Sequence, residues 1–178
     1  MQKTIAVFGS SQTAPGSDAY QEAYTVGRLL AEAGFAVING GYGGTMQGAS
    51  QGAADAGGNA IGVTCAIFDR QRPGGNPYLS SALHTPDLVA RLRQLTERAD
   101  GFIVLQGGVG TLLELFLVWN LLTIGVIDKP CVLLGKRWSE ILSALQAQTQ
   151  IESHHIALLN IAHTPQKAVQ IITTALGR

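Results

Sequence analysis

The sequence has no excess charge, no paired cysteines, no long apolar run free of polar breaks and no low-complexity stretch. Twelve Lys plus Arg are matched by twelve Asp plus Glu, so there is no global positive field to hold a nucleic acid or an acidic membrane surface. Neither is expected as a partner. The two cysteines, Cys65 and Cys131, form no CxxC pair, and Met1 leads directly into strand-like sequence with no signal peptide. Both features point to a reducing cytoplasm. The run from Leu112 to Ile127 contains Glu114, Asn120 and Gly125 and falls short of the roughly 20 apolar residues a bilayer needs. It reads as a helix apolar on nearly every face, buried partly in a core and partly in a subunit interface, so a homodimer or larger homo-oligomer is expected. No Gly-x-Gly-x-x-Gly stands in the first strand-to-helix turn with an acidic residue after it, and no Gly-x-x-x-x-Gly-Lys-Ser/Thr occurs. A redox dinucleotide and an NTPase are both disfavoured. No cofactor and no metal ion is called for.

What remains is a well-folding composition, 46% hydrophobic and 13% charged over 178 residues, suited to one domain spanning the whole chain. Short apolar runs alternate with helical patterns from end to end. Strands are expected near Thr4–Phe8, Ala36–Asn39, Ala60–Thr64, Gly101–Leu105, Cys131–Leu134 and Leu158–Ala162. Helices are expected at about Asp18–Ala33, closed by Gly34, and Thr45–Ala56, closed by Gly57 and Gly58, since glycine suits a left-handed helix end. In two His-Thr-Pro triplets, Thr85 and Thr164 are read as N-caps with Pro86 and Pro165 in the first helical position. The stretch 66–83 reads as one irregular connection, a candidate lid or substrate loop. The alternation implies an α/β fold: a single Rossmann-like, doubly wound parallel sheet with helices on both faces.

Three strand ends run into turn chemistry: Gly9-Ser10-Ser11, Gly40-Gly41-Tyr42-Gly43-Gly44-Thr45 and Gln106-Gly107-Gly108-Val109-Gly110-Thr111. All three would lie at the carboxyl edge of the sheet, where helices begin with unpaired N–H groups and a positive dipole end. Glycine lets backbone approach a phosphate closely, and Ser10, Ser11 and Thr111 add hydroxyl donors. Glycines also simply make tight turns, but three such turns at one edge favour a phosphate-bearing ligand, most naturally a nucleotide.

Two charged residues stand near these turns. Glu114 follows Thr111 by three positions, which fits either a capping box, in which Glu reaches back to the N-cap N–H, or a carboxylate beside the phosphate in partly dry surroundings. Arg91 lies on a helix expected from Pro86 to Arg98, on or beside the stripe Leu88, Leu92, Leu95 and Ala99, while Arg93 points away. An inward Arg needs an anion or must snorkel to water.

The run from Asp87 to Leu134, with Arg91, Ala99-Asp100-Gly101-Phe102-Ile103 and Gly107-Gly108-Val109-Gly110-Thr111-Leu112-Leu113-Glu114, resembles the LONELY GUY (LOG) family, often mislabelled as lysine decarboxylases. Gly9-Ser10-Ser11 and the stretch from Gly40 through Met46 to Gly48 are similar to that family's first two turns. The resemblance implies hydrolysis of the N-glycosidic bond of a nucleoside 5′-monophosphate, AMP or N6-modified AMP, to free base and ribose 5-phosphate. It assigns Arg91 and Glu114 as the catalytic pair. It gives the phosphate and substrate to Gly9, Ser10, Ser11, Gly40, Gly41, Gly43, Met46, Gly107, Gly108, Gly110 and Thr111. Gln106 stands where Pro is common, Leu92 where a basic residue is common, and Leu113 and Leu117 where acidic residues are frequent. Molybdenum-cofactor carrier proteins look like the same fold and share a related glycine motif, which implies the alternative of binding a pterin phosphate without chemistry. A decarboxylase using a pyridoxal Schiff base needs a lysine at the site, and none of Lys3, Lys129, Lys136 and Lys167 lies in a glycine turn.

Overall fold

The structure, a computed structural model, describes residues 2–71 and 74–177. Its strands are β1 (Thr4–Phe8), β2 (Ala36–Asn39), β3 (Ala60–Cys65), β4 (Ser81–Thr85), β5 (Gly101–Val104), β6 (Cys131–Leu134) and β7 (Asn160–Ala162). Its helices are α1 (Asp18–Glu32), α2 (Thr45–Asp55), α3 (Leu88–Glu97), α4 (Val109–Thr123), α5 (Arg137–Gln148), α6 (Ser153–Ile156) and α7 (Pro165–Ala175), with a 3₁₀ turn over Ala66–Phe68 after β3. The strands form one sheet in the order β4-β3-β2-β1-β5-β6-β7. Every pairing is parallel; Ile5 of β1 lies between Val37 and Gly101, for example.

The central strands are almost wholly apolar because both faces of the sheet are covered, the buried Asn39 at the end of β2 being a polar exception that is hydrogen-bonded. On one face Ile5, Val7 and Val37 pack with Val26 and Leu30 of α1, Ala49 and Ala53 of α2, and Ile172 of α7. On the other, Ala6, Phe8 and Phe102 pack with Leu95 of α3, Leu115 and Val118 of α4, and Trp138 of α5. Burial of each large side chain contributes roughly 1.5–3 kcal/mol.

Helices α1 and α2 approach backbone to backbone. A Cβ on Gly27 would overlap the carbonyl oxygen of Ala49, and one on Gly52 would overlap that of Tyr24. This seat holds the start of α2 close to β1, where Gly44, at φ +70°, brings the Thr45 N–H within 2.9 Å of the Ser10 carbonyl oxygen.

The chain leaves β1 toward β2, β3 and β4, then recrosses to place β5 on the other flank of β1. The turns after β1 and β5 therefore diverge, opening a crevice at the carboxyl edge.

Three expectations are corrected. Residues 66–83 are not wholly irregular, since β4 begins at Ser81 and pairs with β3 along its length. Thr85 does not cap a helix: it ends β4 and donates its hydroxyl to the Thr64 carbonyl at 2.7 Å, while Asp87 caps α3 by accepting from the Ala90 N–H at 2.8 Å. The apolar helix begins at Val109, with Gly108 as N-cap, rather than near Leu112. The Thr164 cap and Pro165 stand as expected, and Gly34 and Gly57 close α1 and α2 at φ +81° and +73°. Pro73, part of the proposed loop, lies outside the described residues.

Candidate active site

The crevice between β1 and β5 is a cleft of about 420 Å³. Gly9, Ser10, Ser11 and Gln12 form one wall, Gly108–Thr111 and Glu114 another, and Arg91, Leu88, Leu92, Met46 and Phe68 complete it. The α4 start faces this space. Its N-cap is glycine with no side-chain cap, and the first helical bond runs from the Leu112 N–H to the Gly108 carbonyl at 3.0 Å. The N–H groups ahead of Leu112 have no acceptor within the helix, and Gly108, Val109 and Gly110 are exposed. That arrangement suits an oxyanion.

Because α4 starts at Val109, Thr111 sits inside its first turn and Glu114 in its second, so the capping box is ruled out. Glu114 instead meets Arg91, Nη1 to Oε1 at 3.4 Å, with both side chains almost wholly buried. Arg91 also donates from Nε to the Val63 carbonyl at 2.9 Å. Burial pushes the Glu114 carboxyl up to about 7, although the Arg91 charge and hydrogen bond pull it down. A carboxyl poised there is suited to exchanging a proton near neutral pH.

Of the residues singled out in the sequence, the fold brings Gly9, Ser10, Ser11, Met46, Arg91, Gly108, Gly110, Thr111 and Glu114 to the cleft. Gly40, Gly41, Gly43 and Gly107 do not line it. Gly40 lies against the guanidinium of Arg91, Gly41 against Gly62 and Thr64, and Gly107 against the Thr111 side chain. Behind the second turn, Asn39 accepts from the Gly41 N–H at 2.8 Å and donates to Ser50 Oγ at 3.0 Å, and Asn76 donates to the Tyr42 carbonyl at 3.1 Å.

Gln12, Phe68, Leu88 and Val109 are cleft residues that sequence reasoning passed over. Leu88 was legible in principle, one helical turn from Arg91. Phe68 carried no periodic signal, although it comes from the stretch read as a substrate loop. Leu92 and Leu113 both line the cleft and make that part of its wall apolar. Among the described residues no group of three or more His, Cys, Asp or Glu could hold a metal, no lysine lines the cleft to form a Schiff base, and no helix is long and apolar enough to cross a membrane.

Comparisons with known proteins bear on the family and the fold. The family model described as "Possible lysine decarboxylase" matches residues 46–172. The cytokinin riboside 5′-monophosphate phosphoribohydrolase of Rhodococcoides fascians is 32% identical over 134 residues, 75% of this chain and 68% of that protein. A protein of the same name from Mycobacterium tuberculosis is 33% identical over 131 residues, covering 73% and 69%. Among solved structures, the molybdenum cofactor binding protein from the phototrophic bacterium Rippkaea orientalis matches with a TM-score of 0.80 at 25% identity, covering 99% of this chain and 98% of that one. The family-model match over residues 46–172 and these relatives show that the chain belongs to the LONELY GUY family, whose model carries the lysine decarboxylase description.

Proposed function

We propose that the cleft hydrolyses the N-glycosidic bond of a nucleoside 5′-monophosphate, AMP or an N6-modified AMP, to free base and ribose 5-phosphate. The observation that carries this reading is the buried Arg91–Glu114 pair, which opens onto a cleft floored by an uncapped helix start. The 5′-phosphate sits on the N–H groups of Gly108 to Thr111, where dipole and unpaired donors favour an anion. Cleavage builds positive charge on the ribose, and the fixed Glu114 carboxylate stabilises it. Water attacks C1′ as the C1′–N bond breaks, and the bonding pair leaves with the base. The water proton passes to Glu114, whose carboxyl near 7 accepts it, and returns to the departing base. Arg91 favours the charged form of Glu114 against the effect of burial. The apolar lining of Leu88, Leu92 and Leu113 suits a hydrocarbon substituent on the base, in keeping with relatives named for cytokinin nucleotides.

The likeness to the Rippkaea orientalis protein favours one alternative, a carrier that holds a pterin phosphate in the same cleft without chemistry. Incubation with a panel of nucleoside monophosphates separates the two. Release of free base supports hydrolysis; binding without release would move the assignment to the carrier.

A further inference from the structure

The Arg91 guanidinium is fixed on more sides than its ion pair requires. Nε is held by the Val63 carbonyl, Nη1 faces Glu114, and Nη2 lies against Gly40. Two aromatic rings supply further contacts: Cζ lies 6.0 Å from the centroid of Tyr42 and 6.0 Å from that of Phe68. The rings meet edge to face at 5.7 Å and 86°. Tyr42 is anchored, because its hydroxyl accepts from the Cys65 N–H at 2.8 Å and donates to the Cys65 carbonyl at 3.3 Å. Burial pushes its phenol above the ordinary value, so it stays neutral. Phe68 rides on the 3₁₀ turn after β3, half-buried at the cleft wall, and the next residue, Asp69, reaches His84 Nε2 on β4 at 3.4 Å.

Ring faces attract a guanidinium through their quadrupole without cancelling its charge. A second carboxylate would hold Arg91 equally well but would compete with Glu114 for it. Neutral rings narrow the rotamers of a long side chain, which otherwise loses substantial entropy on ordering, and leave its full charge for Glu114. We propose that Phe68 and Tyr42 are positioning residues that hold the Arg91 guanidinium against the Glu114 carboxylate. Phe68 is the separable member, since it stands on a turn at the cleft wall rather than in the core. The role in turnover rests on the reading of Arg91 and Glu114 as the reacting pair; the effect on the Glu114 carboxyl does not.

The test compares full-length wild type with Phe68→Leu, which removes the ring, and Phe68→Tyr, which retains it, with melting temperature as the folding control. Carbon-13 NMR of glutamate-labelled protein follows the Glu114 carboxyl, assigned by its disappearance in Glu114→Gln. With Phe68→Leu the Glu114 titration midpoint should move upward, because a loosened Arg91 stabilises the carboxylate less, and Phe68→Tyr should restore it. On the nucleoside monophosphate that wild type hydrolyses best, Phe68→Leu should lower kcat about tenfold with KM within about twofold, again restored by Phe68→Tyr. A raised KM with unchanged kcat would make Phe68 a substrate contact and overturn the proposal. An unmoved Glu114 midpoint would overturn it as well. Should wild type release no base from any monophosphate, the hydrolase reading fails while the carboxyl titration still decides this one.

Discussion

The guanidinium of Arg91 occupies the space that a side chain on Gly40 would fill: a Cβ there would overlap Nη2 and crowd Cζ and the Met46 sulfur. Gly40 thus seats an arginine and does not itself line the cleft. Gly40→Ala should push Arg91 off Glu114, lowering turnover at least tenfold while anion binding at the start of α4 survives. Steady-state kinetics beside calorimetric titration with AMP would check this, and unchanged kcat would refute it.

For the ion pair itself, Glu114→Gln keeps size and hydrogen bonding but removes the charge. Turnover should fall about a hundredfold or more, the scale seen when one electrostatic stabiliser is lost. Arg91→Ala should be similarly damaging, and the double variant should cost less than the two effects combined, because each residue needs the other. Free base released by the four proteins is the measurement. Wild-type rates in Glu114→Gln would end the catalytic assignment.

Opposite pH signatures for activity and stability follow from the Glu114 carboxyl near 7. An unfolded-state Glu titrates at about 4.3, so between these values the native protein holds a proton that the unfolded chain has released. The stabilisation is fully present below the lower value and lost as pH rises through about 7. Turnover that needs the carboxylate rises over that same upper limb. The melting temperature of wild type relative to Glu114→Gln should therefore be higher at pH 5 than at pH 8, while kcat increases through neutrality. A pH-independent difference in melting temperature would contradict the raised carboxyl.

Sulfate or AMP soaked into crystals should occupy the N–H groups of Gly108 to Thr111. Density for the anion only at some other surface would count against the phosphate site.

A homodimer is predicted from α4, which leaves Leu113 and Phe116 exposed at 42% and 39% even after its inner face is buried. Trp119 on the same helix is buried within the chain, so Phe116 carries this expectation. Phe116→Glu should convert a dimer into a monomer in light scattering, and a monodisperse wild-type monomer at micromolar concentration would sink the idea.

The positions of the central strands and of the glycine turns that follow them were legible because parallel strands buried on both faces read as continuous apolar runs, and because turn glycines mark where each run ends. Strand β4 was not legible. It is an edge strand with mostly exposed side chains, so Ser81–Thr85 shows no apolar run. Thr85 looked like a cap because His-Thr-Pro fits one locally, yet its hydroxyl is used across the sheet by Thr64, a partner far away in sequence. The capping box at Thr111 failed for a related reason: glycine at 108 and 110 lets α4 start early, and no spacing rule fixes the first turn of a helix that lacks a side-chain cap. The Arg91–Glu114 meeting was inferred from resemblance alone, since the two residues lie on different helices.

Residues that touch no ligand also govern the cleft. Because Gly27 and Gly52 let α1 and α2 meet along their backbones, a methyl group at either would push α2 outward as a rigid body, carrying Met46 with it and breaking the Thr45–Ser10 link. The geometry of the cleft is therefore inherited from a helix–helix seam on the opposite face of the sheet, and substitutions there would read as cleft defects in a protein whose cleft residues were all intact.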